Sequence, residues 1–338
     1  MSNDIILLGH GSGGKLSHQL LDELIIPTLS RVAQRDQNDS AVLEGIESNR
    51  LAFTTDSYVV DPIFFSGGNI GDLAINGTVN DLAMSGACPL AISVGLILEE
   101  GLLLDDLRRI LESMRQAAEA AGVVIVTGDT KVVPRGKGDK VFINTSGIGV
   151  FDHGLRIGGS GARPGDKVLI NGTIGDHGMA VLASREGLEL ESDIATDSVA
   201  LNGMVSDLLN QFGEAIHVLR DPTRGGVATT LKEIALQSGV DICLQEKELP
   251  VKEAVAGACA ILGLDPMFVA NEGKLLVFVD PHRADDVLAA MRRRPEGERA
   301  ALIGEVEATS TGRVMMRTAI GGLRAIEMLT GEQLPRIC

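Results

Sequence analysis

The fold is decided by residues 141–170, which read VFINTSGIGVFDHGLRIGGSGARPGDKVLI. The runs Val141–Val150 and Lys167–Ile170 are apolar and rich in β-branched residues, which is typical of strands. Between them, glycine and proline crowd residues 152–166 without any hydrophobic period, which is typical of a linker. The stretch therefore predicts two domains, residues 1–153 and 166–330, joined by a linker at residues 154–165.

Apolar runs and helical patterns alternate on both sides of this stretch, and they predict an α/β organisation in each half. Leu104–Ala121 shows the helical pattern most clearly, because its apolar residues recur at helical spacing and Gly122 follows as a stop. The other predicted helices are Ser198–Phe212, Gly225–Gln237 and Ala284–Arg293. The predicted strands are Arg50–Thr55, Ala91–Leu98, Val123–Thr127, Val141–Val150, Lys167–Ile170, Ala215–Val218, Asp241–Gln245, Lys274–Val279 and Ala301–Val306.

The composition is that of a globular protein, with 44% hydrophobic and 22% charged residues in a chain of 338. A formal net charge of −16 opposes binding to nucleic acid and to anionic membranes, because both need clustered Lys and Arg. No apolar run approaches the roughly 20 residues that span a bilayer, and the start lacks the cationic region of a secretory signal. The four cysteines have no paired spacing that indicates a zinc site or a disulfide framework. We therefore expect a cytoplasmic protein that binds neither nucleic acid nor membrane.

A glycine-rich segment near the start, GHGSGGK at residues 9–15, follows a short apolar run. Glycine lets backbone N–H groups approach phosphate oxygens, and Lys15 adds positive charge, so the segment is a candidate phosphate-binding loop. Leu16 departs from the Walker pattern, in which a Ser or Thr after the lysine holds magnesium. The alternative is a glycine-rich terminal segment that binds nothing.

Three aspartates lie where we predict strands or turns to end, namely Asp56 in TTD, Asp81 in NDLAMSG and Asp129 in TGDTK. Magnesium binds through a few carboxylates plus substrate phosphates, so such a set suits a metal–nucleotide site. Lys131 adds the cation that a triphosphate favours. The alternative for each aspartate is a local cap or an Asx turn.

Three motifs in the second half also place polar groups near the ends of predicted elements. The segment RDPTRGG at residues 220–226 leads from a strand into a helix and offers exposed backbone at the helix start. Glu272 precedes the strand Lys274–Val279, and sites often lie at strand ends. His177, in GDHG, is a candidate for acid–base chemistry. The alternatives are a capped turn, a solvated glutamate, and a hydrogen-bonding or surface histidine.

The chain ends in GEQLPRIC, residues 331–338, a pattern that does not resemble core. Pro335 disfavours a terminal helix, and an extended peptide of this length reaches about 25 Å, enough to enter or leave a cleft. We therefore predict a mobile tail that carries an accessible thiol on Cys338. The alternative is an incidental free thiol.

Taken together, these motifs resemble those of the HypE family of hydrogenase maturation factors over essentially the whole chain. The glycine-rich start and the three aspartate motifs are shared, more loosely, with aminoimidazole ribonucleotide synthetase, formylglycinamide ribonucleotide amidotransferase, selenophosphate synthetase and thiamine monophosphate kinase. The terminus Pro335–Cys338, PRIC, singles out the HypE family. Selenophosphate synthetases commonly carry Cys or selenocysteine in the glycine-rich loop, and residues 9–15 contain neither.

The resemblance implies an N-terminal α/β domain that dimerises through its sheet, a C-terminal α+β domain beside it, and ATP near their junction. It implies that Cys338 accepts a carbamoyl group from the carbamoyltransferase HypF and that ATP drives dehydration of this group to a thiocyanate. The cyanide would then pass to an iron-bearing HypC–HypD scaffold for [NiFe]-hydrogenase. The implied magnesium ligands are Asp56, Asp81 and Asp129. The implied base is Glu272, with His177 as the second candidate. The implied nucleotide contacts are Gly11, Gly13, Gly14, Lys15, Asn80, Thr130 and Lys131.

The sequence leaves two other functions open. A small-molecule kinase or ligase of the same superfamily, such as a selenophosphate synthetase-like enzyme, would phosphorylate a free substrate and would not need Cys338. An ATP-sensing scaffold would bind partners without chemistry, and it would release no phosphate with any of them.

Overall fold

The computed structural model describes residues 5–7, 10, 15–29, 46, 48, 50–186, 194–328 and 337. The strands are β1 (Leu51–Tyr58), β2 (Phe64–Phe65), β3 (Gly68–Asn69), β4 (Cys88–Glu99), β5 (Val124–Val133), β6 (Val141–Val150), β7 (Lys167–Ile170), β8 (Ile216–Arg220), β9 (Asp241–Gln245), β10 (Leu276–Val279), β11 (Ala301–Glu307), β12 (Val314–Arg317) and β13 (Leu323–Ile326). The helices are α1 (Lys15–Leu20), α2 (Ile26–Leu29), α3 (Ile70–Met84), α4 (Leu104–Ala121), α5 (Asp176–Glu186), α6 (Asn202–Phe212), α7 (Gly226–Ser238), α8 (Glu253–Leu262) and α9 (Ala284–Arg292). None of the helices described is both long and apolar enough to cross a membrane.

The first sheet has the strand order β1-β6-β4-β5, in which β4 and β5 are parallel and the other neighbours are antiparallel. Helices α3 and α4 pack together, and their apolar residues form one core with the sheet face beneath them. Side chains alternate between the two faces of a strand, so every second residue points away from the helices. On that outer face Leu51, Phe53 and Ile97 are exposed.

Helix α3 is buried on nearly every side, which explains why its sequence lacks an amphipathic period. A capping box fixes its start: the Asn69 side chain accepts from the Gly71 N–H at 2.8 Å, and the Asp72 carboxylate accepts from the Asn69 N–H at 2.7 Å. The chain turns after the helix at Gly86, whose φ of 82° is readily adopted only by glycine. This rigid helix carries Asp81, one of the predicted site residues.

The second sheet has the order β13-β12-β9-β11-β7-β10-β8 and is antiparallel except between β9 and β12. Helix α7 covers one face, and α6 and α9 cover the other. The cores of the two sheets are continuous, because Ala83 and Met84 of α3 pack with the residues under α6 and α9. Conversely, Val181 and Ala270 from the second half pack into the core of the first sheet.

The secondary structure agrees largely with the sequence predictions. All nine predicted strands and all four predicted helices are present, although several ends differ. The two sheets with their own helices confirm the two-domain α/β and α+β fold class, whereas the domain boundaries stay a prediction. The elements that the sequence analysis missed are α1, α2, α3, α5, α8, β2, β3, β12 and β13.

One interpretation of the aspartates was wrong. Asp56 and Asp129 lie inside β1 and β5, and Asp81 lies inside α3, so none of them ends a strand or turn. The strands continue because β1 and β5 are the two edges of the sheet, where polar side chains remain solvated.

The predicted mobile tail, residues 331–338, falls outside the described residues except for Ile337. That side chain is 3% exposed and packs in the core of the first sheet together with Val181 and Ala270. The interpretation that nothing in the tail resembles core was therefore wrong for Ile337. A single apolar residue after a proline carries no periodic signal from which burial could be predicted.

Candidate active site

Four carboxylates from both domains converge at the domain junction, and we call Asp56, Asp81, Asp221 and Glu272 the acidic cluster. Asp56 lies on β1 and Asp81 on α3, while Asp221 directly follows β8 and Glu272 lies shortly before β10. Asp81 is oriented by Thr54, whose hydroxyl donates to Asp81 Oδ2 at 2.8 Å. The structure therefore brings together the predicted residues Asp56, Asp81 and Glu272.

The carboxyl group of Glu272 is held in an unfavourable environment for charge. Its side chain is buried, with 5% of the residue exposed, and its Oε1 has no hydrogen-bond partner within the described chain. Burial raises the pKa of Glu272 well above its usual range, and repulsion from Asp197 and from the rest of the acidic cluster raises it further. A proton or a nearby cation stabilises such a group.

The pKa values of Asp221 and Asp81 are raised as well. Burial and the neighbouring charge of Asp81 raise the pKa of Asp221 to about 7. Burial is also the main reason that the pKa of Asp81 is raised, although Arg220 and Arg224 nearby partly offset the effect. Mutual repulsion of this kind marks a position where positive charge is favourable.

The acidic cluster fits a magnesium ion bound together with phosphates. Within the described residues, no member of the cluster makes an ion pair, and no three acidic, His or Cys side chains already form a metal cage. Magnesium usually takes one or two carboxylates and completes its shell with water and substrate phosphates, so a complete protein cage is not needed. Asp56, Asp81 and Asp221, all partly exposed, are the residues that would hold it.

Asn80 connects the two domains through its side chain. Its Nδ2 group donates to the carbonyls of Val199 at 3.0 Å and Glu272 at 3.1 Å, and its Oδ1 accepts from the Leu201 N–H at 2.8 Å. Both N–H groups are thus used inside the protein, and the residue is 1% exposed. The structure gives Asn80 a bridging position beside the acidic cluster rather than one open to a nucleotide.

A buried ion pair between Lys274 and Asp197 lies beside Glu272 of the acidic cluster. Lys274 Nζ lies 2.9 Å from Asp197 Oδ2, and both side chains are buried. Asp197 Oδ1 accepts from the Glu272 N–H at 3.1 Å, which fixes the backbone of the glutamate. Burial opposes the charge of Asp197, but Lys274 and the hydrogen bond from the Glu272 N–H favour it, and the pKa of the aspartate is lowered.

His177 is fully buried and binds the end of the chain. Its Nε2 lies 3.0 Å from the carbonyl oxygen of Ile337, and its Nδ1 lies 2.8 Å from Thr196 Oγ1. The ring also meets Phe65 edge to face. Because Thr196 directly precedes Asp197, the penultimate residue of the chain is held next to the residues that support Glu272.

Asp129, Thr130 and Lys131 lie on β5, away from the acidic cluster. Asp129 and Lys131 form an exposed ion pair of 3.1 Å on β5, the edge opposite to β1, and Thr130 lies between them. The residues paired in turn across the sheet with Asp56 are Thr145 on β6, Val94 on β4 and Gly128 on β5. Gly128 therefore lies three strand spacings, about 14 Å, from Asp56. Asp129 is the next residue, so its side chain also points to the opposite face of the sheet.

Several predicted site residues cannot be located. Gly11, Gly13, Gly14 and Cys338 fall outside the described residues. Lys15 begins α1, but its side chain is not among those described. Their roles stay predictions.

The sequence analysis missed two residues of the site. Asp221 belongs to the motif at residues 220–226, and its position between a strand end and a helix start was the signal that could have identified it. Asp197 gave no signal, because it lies in a loop without a motif and reaches Glu272 only through the tertiary fold.

Comparison with known proteins gives a consistent result along the chain. Residues 37–151 match the family model for the N-terminal domain of AIR synthase related proteins, and residues 163–317 match the model for the C-terminal domain. Carbamoyl dehydratase HypE of Azotobacter vinelandii is 51% identical over 338 residues, covering 100% of this chain and 98% of that protein. A crystal structure of HypE in complex with ATP superposes with a TM-score of 0.94 at 51% identity, covering 98% of this chain and 99% of the other. A chain from the crystal structure of a HypE–HypF complex superposes with a TM-score of 0.80 at 46% identity, covering 92% of this chain and 99% of the other.

Proposed function

Because the chain belongs to the HypE family of carbamoyl dehydratases, we propose that it converts a carbamoyl group on its own Cys338 into a thiocyanate. The product would supply cyanide ligands to the iron of [NiFe]-hydrogenase. The observation that carries the proposal is the position of Ile337, buried at the domain junction with its carbonyl oxygen on His177. The residue before the terminal cysteine is thereby held beside the acidic cluster.

We assign ATP with magnesium to the acidic cluster. The HypE that has been crystallised in complex with ATP has the same fold over 98% of this chain, which supports the assignment. When bound, ATP supplies the phosphoryl group that turns the carbamoyl oxygen into a leaving group. Asp56, Asp81 and Asp221 hold the magnesium, whose charge relieves the repulsion among these carboxylates.

Glu272 is the proposed base for the two protons that the carbamoyl nitrogen must lose. It takes one when the oxygen is phosphorylated, passes it to solvent, and takes the second as phosphate departs and the C≡N bond forms. A carboxyl group with a raised pKa is suited to this task, since its proton affinity lies closer to neutral pH. Bound magnesium lowers that pKa again and leaves the carboxylate free to accept the proton. His177 is the weaker candidate for the base, because both of its ring nitrogens are already engaged.

The proposed partners follow from the same reaction. The carbamoyl group would come from HypF, and the HypE–HypF complex among the similar structures supports this contact. An iron-bearing HypC–HypD scaffold would receive the cyanide, and the site of action would be the cytoplasm.

We also propose a homodimer that packs through the outer face of the first sheet. This face exposes Leu51 and Phe53 at 57% and 70% of their surface, which is costly for apolar side chains in water. Asp129 and Lys131 lie on the same sheet, on the edge remote from Asp56. If Asp129 and Asp56 serve one magnesium ion, as the resemblance implies, they must therefore come from different copies.

Deletion of Pro335–Cys338 tests the proposal against the rival, a small-molecule kinase or ligase. The dehydratase loses all carbamoyl-dependent ATP turnover without these residues, whereas a kinase with a free substrate keeps its turnover. The substitution Cys338→Ser is the matched control, since it retains the peptide that contacts His177 and removes only the thiol. Unchanged turnover in both variants would rule out the proposed function.

A further inference from the structure

We propose that His177 is a latch for the C-terminal tail, which positions the terminal cysteine and performs no proton transfer itself. The inference rests on the proposed function for its effect on rate, but the latch can be measured without any reaction. The contact involves a fully buried imidazole and the backbone of Ile337, which is 3% exposed.

The hydrogen-bond geometry fixes the role of each ring nitrogen. A carbonyl oxygen can only accept, so Nε2 of His177 must carry a proton and donate it to Ile337 at 3.0 Å. Burial lowers the pKa of His177, although the charge of Asp197 and the Ile337 carbonyl oppose the shift, so the ring is neutral. Nδ1 is then unprotonated and accepts from the Thr196 hydroxyl at 2.8 Å.

Thr196 is itself held in place, which makes the latch rigid. Its hydroxyl oxygen accepts from the Ser198 N–H at 3.1 Å, and its backbone N–H donates to the carbonyl of Ser66 at 2.9 Å. Phe65 packs against the ring with a centroid distance of 5.5 Å. A ring bonded to Thr196 and packed against Phe65 presents its Nε2–H in one direction only, as a positioning residue requires.

A backbone carbonyl as the docking point suits a tail that carries different chemical groups. The thiol, the carbamoyl group and the thiocyanate differ only beyond the sulfur of residue 338, and none of them changes the carbonyl of Ile337. The latch can therefore engage the tail whichever of these groups the sulfur carries.

The cysteines provide an internal test of docking in the whole protein. Cys243 and Cys259 are buried and react only if the protein unfolds. Glutathione added to every sample serves as the reference thiol, because Cys88 lies in one cross-strand row with Leu51, on the face that we propose packs in the dimer. We would measure alkylation of all four by iodoacetamide and peptide mass spectrometry, without ATP or carbamoyl donor. The measured quantity is the alkylation rate of Cys338 divided by the alkylation rate of the added glutathione.

His177→Phe removes the donor and keeps a flat ring, so the rate ratio should rise about five- to ten-fold, as expected for loss of one buried hydrogen bond. His177→Gln keeps an N–H donor and should lie closer to the parent protein. An unchanged ratio in His177→Phe, with Cys243 and Cys259 still protected, would overturn the latch. Equal ratios in the two variants would also overturn it, because packing alone would then explain the contact.

A single-turnover assay separates the latch from the base. In carbamoylated His177→Phe, dehydration should slow in proportion to the loss of docking, while the ATP concentration for half-maximal rate stays unchanged. The same pH profile as in the parent is expected, since His177 transfers no proton. A shifted pH profile would instead assign His177 to the chemistry. If no dehydration occurs even in the parent, the proposed function is wrong. The alkylation rates then still show whether His177 holds the tail.

Discussion

The side-chain amide of Asn80 donates to the backbone carbonyl of Glu272 across the domain junction at 3.1 Å. This bond joins helix α3 of the first domain to the loop that carries the proposed base. The geometry of the acidic cluster therefore depends on a residue that contributes no charge to it.

Asn80→Ala should destabilise the protein by about 2 to 4 kcal/mol, because two carbonyls and one N–H lose their partner in a buried position. Urea unfolding measures the change. Asn76→Ala is the control on the same helix, since its amide donates to one side chain, Ser198, and should cost about 1 kcal/mol. Equal costs for the two variants would contradict a bridging role for Asn80.

Glu272→Gln should reduce the dehydration rate by about 10²- to 10⁴-fold, the usual contribution of a general base.

The same change should stabilise the fold above pH 5. A carboxyl whose pKa is raised on folding stabilises the folded state below its unfolded pKa, and this contribution is lost as the pH rises toward the folded pKa. Urea unfolding at pH 5 and pH 8 gives the free energy of unfolding of both proteins. The parent should lose stability relative to Glu272→Gln as the pH rises, and a relative gain would refute the raised pKa.

Asp221 should make magnesium binding depend on pH. With a pKa of about 7, the carboxyl is mostly protonated at pH 6 and mostly ionised at pH 8. Affinity for magnesium alone, measured by calorimetry, should rise up to about tenfold over this interval. In Asp221→Asn the rise should disappear. A rise of the same size in that variant would show that another group controls the metal.

The charged residues of the site were found from the sequence more readily than the framework that holds them. Glu272 was singled out because it precedes an apolar strand and Asp56 because it follows the predicted end of one, whereas their roles as base and magnesium ligand came from the family resemblance. The helix α3 was missed, since burial on all sides removes the polar face that makes a helix visible as a pattern. As a result Asp81 was assigned to a strand or turn end rather than to a helix.

Contacts between distant residues lie beyond what a single sequence can predict. Asp197 meets Glu272 across 75 positions and Ile337 meets His177 across 160, and neither pair follows from local spacing. The separation of Asp129 from Asp56 needed the strand order, which places their strands on opposite edges. Propensity and periodicity describe neighbours in the chain, whereas these contacts depend on the order in which strands pair.

A mixed dimer tests whether Asp129 and Asp56 act together from different copies. If both aspartates bind one magnesium ion, Asp56→Asn and Asp129→Asn each remove one ligand from every site, and each should abolish dehydration. Mixing the two variants under conditions of subunit exchange should restore activity, since the mixed dimer has one site with both aspartates. The rate of single-turnover dehydration measures the recovery, and each variant incubated alone is the control. No recovery despite demonstrated exchange would place both residues in the same copy or in separate roles.

The most direct test of the central claim is the intact mass of protein carbamoylated at Cys338, followed after addition of ATP and magnesium. The account predicts the loss of one water per chain at Cys338, with one ADP and one phosphate released for each group converted. Consumption of ATP with the carbamoyl adduct unchanged would contradict the account.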